Sequence, residues 1–212
     1  MTETNFGYES VTQDEKKERV DQVFSSVSNV YDKMNNTMSF GVHHIWKKHA
    51  LHALNCHHNS RVVDLACGSG DISQLIRPHI PRGHLHCIDP NQEMLALCKK
   101  KLGYVDNITY HTAYAETMRL NAQVDRVIIS FGLRNFSDIP MALRNIHQHL
   151  EVGGKLVILE FNPPAATGFK NHYQLYLDQV IPFWGRVVGH DEASYQYLAE
   201  SICVQPSPEQ RI

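Results

Sequence analysis

The sequence predicts an α/β fold in which a mostly parallel sheet is covered by helices on both faces. The first observation behind this prediction is the stretch 61–71, RVVDLACGSGD, where the apolar run of a buried strand meets the loop Gly68-Ser69-Gly70. Apolar residues then recur at helical spacing as far as Arg77-Pro78, so a helix follows the loop. The second observation is that strand-like and helix-like segments alternate beyond it, which is typical of a parallel sheet built from βαβ units.

The other elements follow from local patterns. Residues 1–13 are polar and are expected to be loose, whereas apolar residues fall on one helical face between Asp14 and Tyr31. Further strands are predicted at 85–89, 107–111, 124–131 and 155–161, and helices at 92–102, 139–150, 169–180 and 193–202. The carboxyl ends of the parallel strands meet at one edge of the sheet, which is where doubly wound folds bind ligands.

The composition is that of a globular protein with one core. The chain has 212 residues, of which 42% are hydrophobic and 20% charged. The formal net charge is −2 and the longest basic run is the lysines at 99–101, so no nucleic acid partner is expected. The five cysteines form no CxxC pair and the N-terminus carries no signal pattern, which predicts reduced thiols and a cytoplasmic location.

Two further kinds of site are disfavoured. The chain has fourteen histidines, many of them within the segments 43–58 and 84–86. They show neither an HExxH motif nor a zinc-type Cys/His spacing. We therefore expect no metal site. No apolar run reaches the ~20 residues that span a bilayer, so any contact with a membrane would be peripheral.

The glycine loop predicts a nucleoside ligand rather than a phosphate. The chain has no GxxxxGK[ST] run, and Ser73 stands where a dinucleotide fingerprint has its third glycine. Asp64 and Asp71 flank the loop, and Asp89 lies 19 residues beyond Gly70 at the end of the next predicted strand, where a carboxylate can accept hydrogen bonds from ribose. These carboxylates would repel a pyrophosphate but not S-adenosylmethionine, which carries a sulfonium and an ammonium. The alternative is a solvated glycine turn.

The run DLACGSGD at 64–71 resembles the nucleoside loop of class I methyltransferases, and specifically that of the UbiE family of ubiquinone/menaquinone C-methyltransferases. Similar stretches lie at 31–47, 88–95, 130–135 and 150–161, and together they cover nearly the whole chain. The first of these and SFGLRN at 130–135 are the specific ones. The resemblance implies a Rossmann-like sheet of order 3-2-1-4-5. Strands six and seven of the family are not visible after residue 161, so a C-terminally short chain is expected.

The resemblance also implies a division of roles along the chain. Residues 1–50 would be a helical cover over the substrate, and 51–212 the S-adenosylmethionine-binding methyltransferase domain. The run from Met34 to Trp46 is rich in methionine and aromatic side chains, which suit an adaptable apolar pocket for a quinol with a polyprenyl tail. Alternatively, the helix that ends at Tyr31 packs on the core, because periodicity alone does not separate a lid from a core helix.

The resemblance assigns a set of cofactor-binding residues. Asp64 would hold the loop or the methionine ammonium, Ser69 the amino-acid end and Asp89 the ribose. Tyr114 departs from the short polar residue that the family has before Ala115, so its backbone or its ring would contact adenine. The full cofactor-binding set is Asp64, Gly68, Ser69, Gly70, Asp89, Tyr114, Ala115 and Ser130.

The implied reaction is C-methylation of a polyprenyl benzoquinol or demethylmenaquinol. Carbon becomes nucleophilic when a quinol hydroxyl is deprotonated, which requires a general base and a donor or cation for the phenolate. Asp71, Arg134 and Asn135 supply these groups, and the resemblance places them at the site. Each charged residue has a simpler interpretation: Asp71 as a partner of the helix dipole, and Arg134 as a surface charge.

Two alternatives and one expectation about partners remain. The chain could be a catalytically silent, S-adenosylmethionine-binding scaffold of a quinone-biosynthesis complex, or a methyltransferase for another small molecule. The predicted strand at 155–161 would be an edge, and Val157, Ile158 and Leu159 carry none of the charges that normally protect one. We therefore expect a homodimer, association within a quinone-biosynthesis complex, or aggregation through this edge. We also expect peripheral contact with the inner membrane.

Overall fold

The computed structural model describes residues 3–162, 175–189 and 191–205, and the helix predicted at 169–180 lies mostly outside these residues. The chain divides into two compact units, one of Val42–Glu160 and one of Met1–Gly41 with Phe161–Ile212. This division groups the two ends of the chain. The division by role, into a cover at 1–50 and a cofactor domain at 51–212, stays a prediction.

The strands in chain order are β1 (Glu3–Phe6), β2 (Glu9–Thr12), β3 (Arg61–Leu65), β4 (His84–Ile88), β5 (Ile108–His111), β6 (Val124–Ser130) and β7 (Leu150–Leu159). The α-helices are α1 (Gln13–Val27), α2 (Tyr31–Ser39), α3 (His43–Leu54), α4 (Asp71–Ile76), α5 (Gln92–Leu102), α6 (Ile139–His149), α7 (Ile181–Trp184) and α8 (Glu192–Val204). Short 3₁₀ turns occupy Ser28–Val30, Arg77–His79 and Leu133–Asn135, and π turns Tyr176–Val180 and Gly185–Gly189 flank α7.

The unit Val42–Glu160 is built on a five-stranded sheet of order β5-β4-β3-β6-β7. Every neighbouring pair in it is parallel. The central strands β3 and β6 are rich in buried apolar residues because both of their faces are covered. Val62 of β3 packs into one buried cluster, whereas Val63 and Leu65 pack into the cluster on the other face. The carboxyl ends of β3, β4, β5 and β6 therefore present their loops at one edge, as predicted for a doubly wound α/β fold.

The second unit brings the two ends of the chain together. β1 and β2 form an antiparallel hairpin, and the side chain of Thr12 caps α1 by accepting a hydrogen bond from the Glu15 amide at 3.2 Å. Phe6 of β1 stacks on Tyr197 of α8 with ring centroids 4.1 Å apart. Its apolar core contains Val27, Met34, Met38, Leu177, Ile181, Tyr195, Ala199 and Ile202. Met34 and Met38, expected near an apolar pocket, are thus core residues of this unit.

Two expectations about strands are wrong. The segment 1–13 was expected to be loose, but its described part, 3–13, is ordered. Gly7, at φ +56°, turns the chain so that two short polar segments pair, and Phe6 anchors the hairpin through its stacking. Strands six and seven are also present, contrary to the expectation that they are not visible. In chain order β6 and β7 lie within the five-stranded parallel sheet, because the unforeseen hairpin supplies the first two strands.

The last strand of the sheet also differs from its predicted bounds of 155–161. β7 begins at Leu150, directly where α6 ends, and it reaches Leu159. Leu150 pairs with Val124 and Lys155 with Arg126, so the residues between them form an irregularity in the ladder. Gly153, at φ +81°, accommodates this irregularity.

Candidate active site

The loop between β3 and α4 is held in a conformation that its residue types permit. Ala66, Gly68 and Gly70 have φ values of +56°, +55° and +84°. A Cβ atom on Gly70 would lie 2.6 Å from Sγ of Cys98 in α5, so only glycine lets α5 approach the loop so closely. Ala66 is a non-glycine residue in the left-handed region, a strained conformation that clusters at functional sites.

Asp89 ties this loop to the end of β4. Its Oδ2 atom accepts a hydrogen bond from the Gly68 amide at 2.8 Å, and its Oδ1 atom accepts one from the Asn91 amide at 2.9 Å. The side chain is buried. A carboxylate offers about four acceptor positions, so these two bonds leave acceptor capacity for a ribose hydroxyl. Asp89 thus lies where the sequence predicts it, and it also shapes the loop.

Asp64 faces the core and not the open edge of the sheet. It lies in β3, fully buried, and accepts a hydrogen bond from the hydroxyl of Ser73 in α4. Burial raises the pKa of Asp64 well above its ordinary value, and the neighbouring Cys87 adds to this shift. Its Oδ1 atom has no hydrogen-bond partner among the described residues. Of the two roles predicted for Asp64, this placement favours holding the loop, because the side chain fastens α4 to β3.

Asp71, the first residue of α4, is held by two lysines. Lys47 of α3 donates to Oδ2 at 2.8 Å, and Lys101 at the end of α5 donates to Oδ1. The Lys101 ammonium also lies 3.3 Å from the hydroxyl of Ser69. Burial alone would raise the pKa of Asp71, but the charge of Lys47 and the hydrogen bond from Lys101 outweigh it and lower the pKa to about 2. Asp71 is therefore an ionised carboxylate and a weak base at neutral pH.

The loop predicted to face adenine is braced from α6. Tyr114 is half-buried and its carbonyl accepts hydrogen bonds from two residues further along, which makes a tight turn. Asn145 of α6 donates to the carbonyl of Ala115 at 2.8 Å. Glu116 accepts from the amide and hydroxyl of Ser137 at 2.9 and 2.8 Å. These bonds position the backbone of Tyr114 and Ala115 at the ligand edge of the sheet.

The segment after β6 carries a buried ion pair. Nη1 of Arg134 lies 2.7 Å from Oε1 of Glu160 and 2.6 Å from the carbonyl oxygen of Phe131. The side chains of Arg134 and Glu160 are only 6% and 2% exposed, so the interpretation of Arg134 as a surface charge does not hold. Phe131 has φ +60°, unfavourable for a bulky residue, and marks this turn as strained. Asn135 lies in the same turn, where its backbone N–H donates to the Gly132 carbonyl at 3.1 Å.

Ser130 ends β6 with an unusual hydroxyl. Its Oγ atom is buried and forms no hydrogen bond with the described residues. Buried hydroxyls are normally paired, and an exception calls for an explanation. Close by, the loops after β3 and β6 touch, because a Cβ atom on Gly132 would lie 2.6 Å from that of Ala66. The unpaired hydroxyl therefore belongs to the same edge as the glycine loop.

The structure joins the predicted residues Gly68 and Asp89, and it places Ser69 and Asp71 around Lys101. Three residues of the site were not predicted: Lys47, Lys101 and Glu160. For Lys47 a signal existed, because the buried residues of α3 are His43, Lys47, Ala50 and Leu54, which recur at helical spacing and put a lysine on the apolar face. For Glu160 the signal was a single acid directly after the apolar run of β7.

Two kinds of feature are absent from the described residues. In residues 3–162, 175–189 and 191–205, no group of three or more His, Cys, Asp or Glu side chains is arranged to hold a metal ion. Within the same part of the chain, none of the helices combines the length and apolarity needed to cross a bilayer.

Comparison with solved structures supports the fold. The YcgJ protein of Bacillus subtilis superposes with a TM-score of 0.53 at 20% identity, covering 64% of this chain and 59% of that one. DesVI of Streptomyces venezuelae superposes with a TM-score of 0.51 at 18% identity, covering 65% and 60%. At such identities these matches show that the architecture is shared and nothing about the reaction.

Comparison with sequences identifies the family. The model of the ubiE/COQ5 methyltransferase family matches residues 12–211. The ubiquinone/menaquinone biosynthesis C-methyltransferase UbiE of Proteus mirabilis is 39% identical over 211 residues, which is 97% of this chain and 84% of that protein. The UbiE protein of Pectobacterium carotovorum is 40% identical over 210 residues, with coverages of 97% and 84%. The resemblance inferred from the motifs is confirmed: the chain belongs to the ubiE/COQ5 methyltransferase family and is an S-adenosylmethionine-dependent methyltransferase.

Proposed function

We propose that the chain methylates a ring carbon of a polyprenyl benzoquinol or demethylmenaquinol, as a step in ubiquinone or menaquinone biosynthesis. The observation that carries this proposal is the identity of 38–40% to UbiE proteins over nearly the whole chain. The aligned span includes SFGLRN at 130–135 and the run at 31–47, the two stretches that are most specific to the family. A general resemblance to methyltransferases would not require them.

The residues present fit the cofactor. S-adenosylmethionine supplies an activated methyl group on a sulfonium. The buried hydroxyl of Ser130 has no hydrogen-bond partner among the described residues, and a ligand over the glycine loop would supply one. Asp89 keeps acceptor capacity beside Gly68, which suits ribose hydroxyls. Tyr114 and Ala115 offer a braced backbone further along the same edge for adenine.

The residues after β6 supply the group that stabilises negative charge. A quinol carbon becomes nucleophilic as its hydroxyl loses a proton, and an arginine fixed in advance can stabilise the phenolate that forms. Glu160 and the Phe131 carbonyl hold Arg134 in one orientation, so its guanidinium needs no reorganisation. Asn135 follows in the same turn and adds an amide. The side chains act on the substrate only, and cofactor affinity does not depend on them.

The role of Asp71 is more restricted than the sequence suggests. A general base works best when its pKa is near the working pH, and a pKa of about 2 makes Asp71 a poor acceptor of a quinol proton. Asp71 would serve as the base only after a ligand displaces Lys47 or Lys101. If it is the base in its present setting, the rate should be independent of pH above about 4, because the carboxylate stays ionised.

The polyprenyl substrate also bears on where the chain works. A polyprenyl tail stays in lipid, so we propose peripheral contact with the inner membrane from the cytoplasmic side, with residues 1–50 covering the quinol. Flotation of the purified chain with vesicles that contain a polyprenyl quinol tests this contact. Recovery of all the chain in the unbound fraction would exclude it under those conditions.

The decisive experiment is a transfer assay. The purified chain is incubated with methyl-labelled S-adenosylmethionine and, separately, with a polyprenyl benzoquinol and with demethylmenaquinol. We expect label on a ring carbon of at least one product, located by mass spectrometry. Binding of S-adenosylmethionine without transfer to either quinol would favour the scaffold alternative, and transfer only to an unrelated small molecule would favour the other enzyme.

A further inference from the structure

We propose that Lys47 and Lys101 form a binding site for the α-carboxylate of S-adenosylmethionine, and that Asp71 orients the two ammonium groups. This inference rests on the proposed function, since it takes S-adenosylmethionine as the ligand of the loop. It adds two binding residues and gives Asp71 a positioning role.

Lys47 is an unusual residue for the inner face of a helix. Its side chain is 8% exposed, and it lies among the buried positions of α3. A buried ammonium is costly unless it is paired, and the pair with Asp71 at 2.8 Å meets that requirement. A leucine at this position would pack without such a cost, so packing alone does not account for the charge.

Lys101 reaches the same point from another helix. It lies in the last turn of α5, and its ammonium contacts both Asp71 and the hydroxyl of Ser69. Ser69 is the central residue of the glycine loop, so the two lysines converge directly beside the predicted amino-acid end of the cofactor. Helices α3 and α5 are thus both anchored at this loop by lysine.

The charges of Lys47, Lys101 and Asp71 complement those of the methionine part of the cofactor. Two ammonium groups converge on one carboxylate beside the glycine loop. The methionine part of the cofactor carries one carboxylate and one ammonium. Its carboxylate would pair with the lysines, and its ammonium would lie near Asp71. The other acids at the loop, Asp64 and Asp89, offer nothing to an anion, which leaves the lysines as the groups suited to it.

The test compares two ligands that differ only in the carboxylate. S-adenosylmethionine and its decarboxylated form share the sulfonium, the ammonium and the nucleoside. In calorimetric titration we expect Lys47→Met to weaken S-adenosylmethionine about tenfold or more, since a hydrogen bond to a charged group is worth that much. Binding of the decarboxylated ligand should change less than about threefold. Lys101→Met should show the same selective loss, and Lys47→Arg should retain most of the affinity.

Matched controls lie next to each lysine. Lys48 and Lys100 are exposed neighbours on the same two helices, so Lys48→Met and Lys100→Met should bind both ligands as the wild type does. Unchanged binding of the decarboxylated ligand by Lys47→Met also shows that the variant is folded.

Three results would overturn the proposal. Equal loss of both ligands in Lys47→Met and Lys101→Met would mean that the lysines only hold the loop together. Unchanged affinity for S-adenosylmethionine in both variants would remove them from the site. A wild-type chain that binds neither ligand would refute the proposed function itself, which separates that failure from a failure of the lysine assignment.

Discussion

At the scale of single residues, several carboxylates of this site have structural partners as well as predicted ligands. Asp89 accepts backbone hydrogen bonds, Asp71 pairs with lysines and Glu160 pairs with Arg134. A substitution at any of them therefore affects both the stability of the fold and the chemistry of the site. Informative variants must separate the two effects by measuring binding, rate and stability independently.

The first prediction concerns Asp89. Asp89→Ala should weaken S-adenosylmethionine by at least ~1.5 kcal/mol, about tenfold, because a charge-assisted hydrogen bond to ribose is lost. It should also destabilise the chain, since the amides of Gly68 and Asn91 lose their acceptor. Asp89→Asn keeps an acceptor of similar shape and is the control for the loop. Calorimetric affinity equal to that of the wild type in Asp89→Ala would remove this residue from the binding site.

The second prediction concerns the buried ion pair. Arg134→Ala should lower the rate of methyl transfer ~100-fold or more, because a preorganised charge-stabilising group is lost, while cofactor affinity stays nearly intact. Removing one partner of a buried pair should also cost about 3–5 kcal/mol of unfolding free energy, because the buried Glu160 loses its cation. Transfer assays and denaturant titration measure the two effects.

The control for this pair is the double variant Arg134→Ala with Glu160→Ala. It removes the carboxylate that has lost its cation, so it should regain part of the stability but none of the rate. Full wild-type turnover in Arg134→Ala would refute the proposed role of the guanidinium, whatever the stability shows.

At the scale of elements, adjacent strands carry a cluster of imidazoles. His84 and His86 of β4 and His111 of β5 lie on one face of the sheet, with Nδ1 of His86 at 3.1 Å from Nε2 of His111. Burial lowers the pKa of His86 to about 4, and the neighbouring His84 and His111 add to the shift. Burial also lowers the pKa of His111. The folded sheet therefore favours the neutral forms of His86 and His111.

The third prediction follows from this cluster. Because the pKa of His86 is lower in the folded chain than in the unfolded one, the unfolded chain binds more protons between about pH 6.5 and pH 4. The histidines' contribution to stability is present above that window and is lost as the pH falls through it. Denaturant titrations from pH 7.5 to 4.5 should show a falling free energy of unfolding, and His86→Gln should flatten the curve. An identical slope in the variant would contradict the assignment.

At the scale of the whole molecule, the sheet has an edge that is not strongly protected. β7 is the last strand in the order, and none of the described residues forms a strand on its outer side. Ile158 is 36% exposed on this strand, and Val152 near its start is fully exposed. Glu151 and Lys155 carry charge on β7, but Val157, Ile158 and Leu159 at its end do not. An uncharged, partly exposed stretch of an edge strand is a template for pairing with another chain.

The fourth prediction is self-association through β7. We expect the purified chain to form dimers or larger assemblies, measured by light scattering over a concentration series. Ile158→Lys places a charge on the edge and should shift the chain towards monomer, whereas Tyr104→Lys, an exposed position outside the sheet, should not. A wild-type chain that stays monomeric throughout the series would refute the prediction.

Much of the fold and part of the site could be predicted from sequence because they depend on local patterns. The apolar run of β3, the glycines at 68 and 70 and the spacing to Asp89 each lie within a short stretch whose backbone preferences are readable. The same reasoning located α5 and α8. It failed at 1–13, where short polar segments form a hairpin that is anchored by the stacking of Phe6 on Tyr197. This contact joins residues from opposite ends of the chain, so no local pattern indicates it.

What the sequence by itself determined is the α/β alternation, the cofactor loop and the family, all of which are carried by contiguous residues. What only the tertiary structure decided is how the charges are paired. Lys47 meets Asp71 and Arg134 meets Glu160 because helices and strands far apart in the chain end at the same edge of the sheet. Local sequence patterns do not show which residues from distant parts of the chain come into contact. The pKa of Asp71 is lowered only because the assembled fold brings two ammonium groups against a carboxylate whose burial alone would raise it.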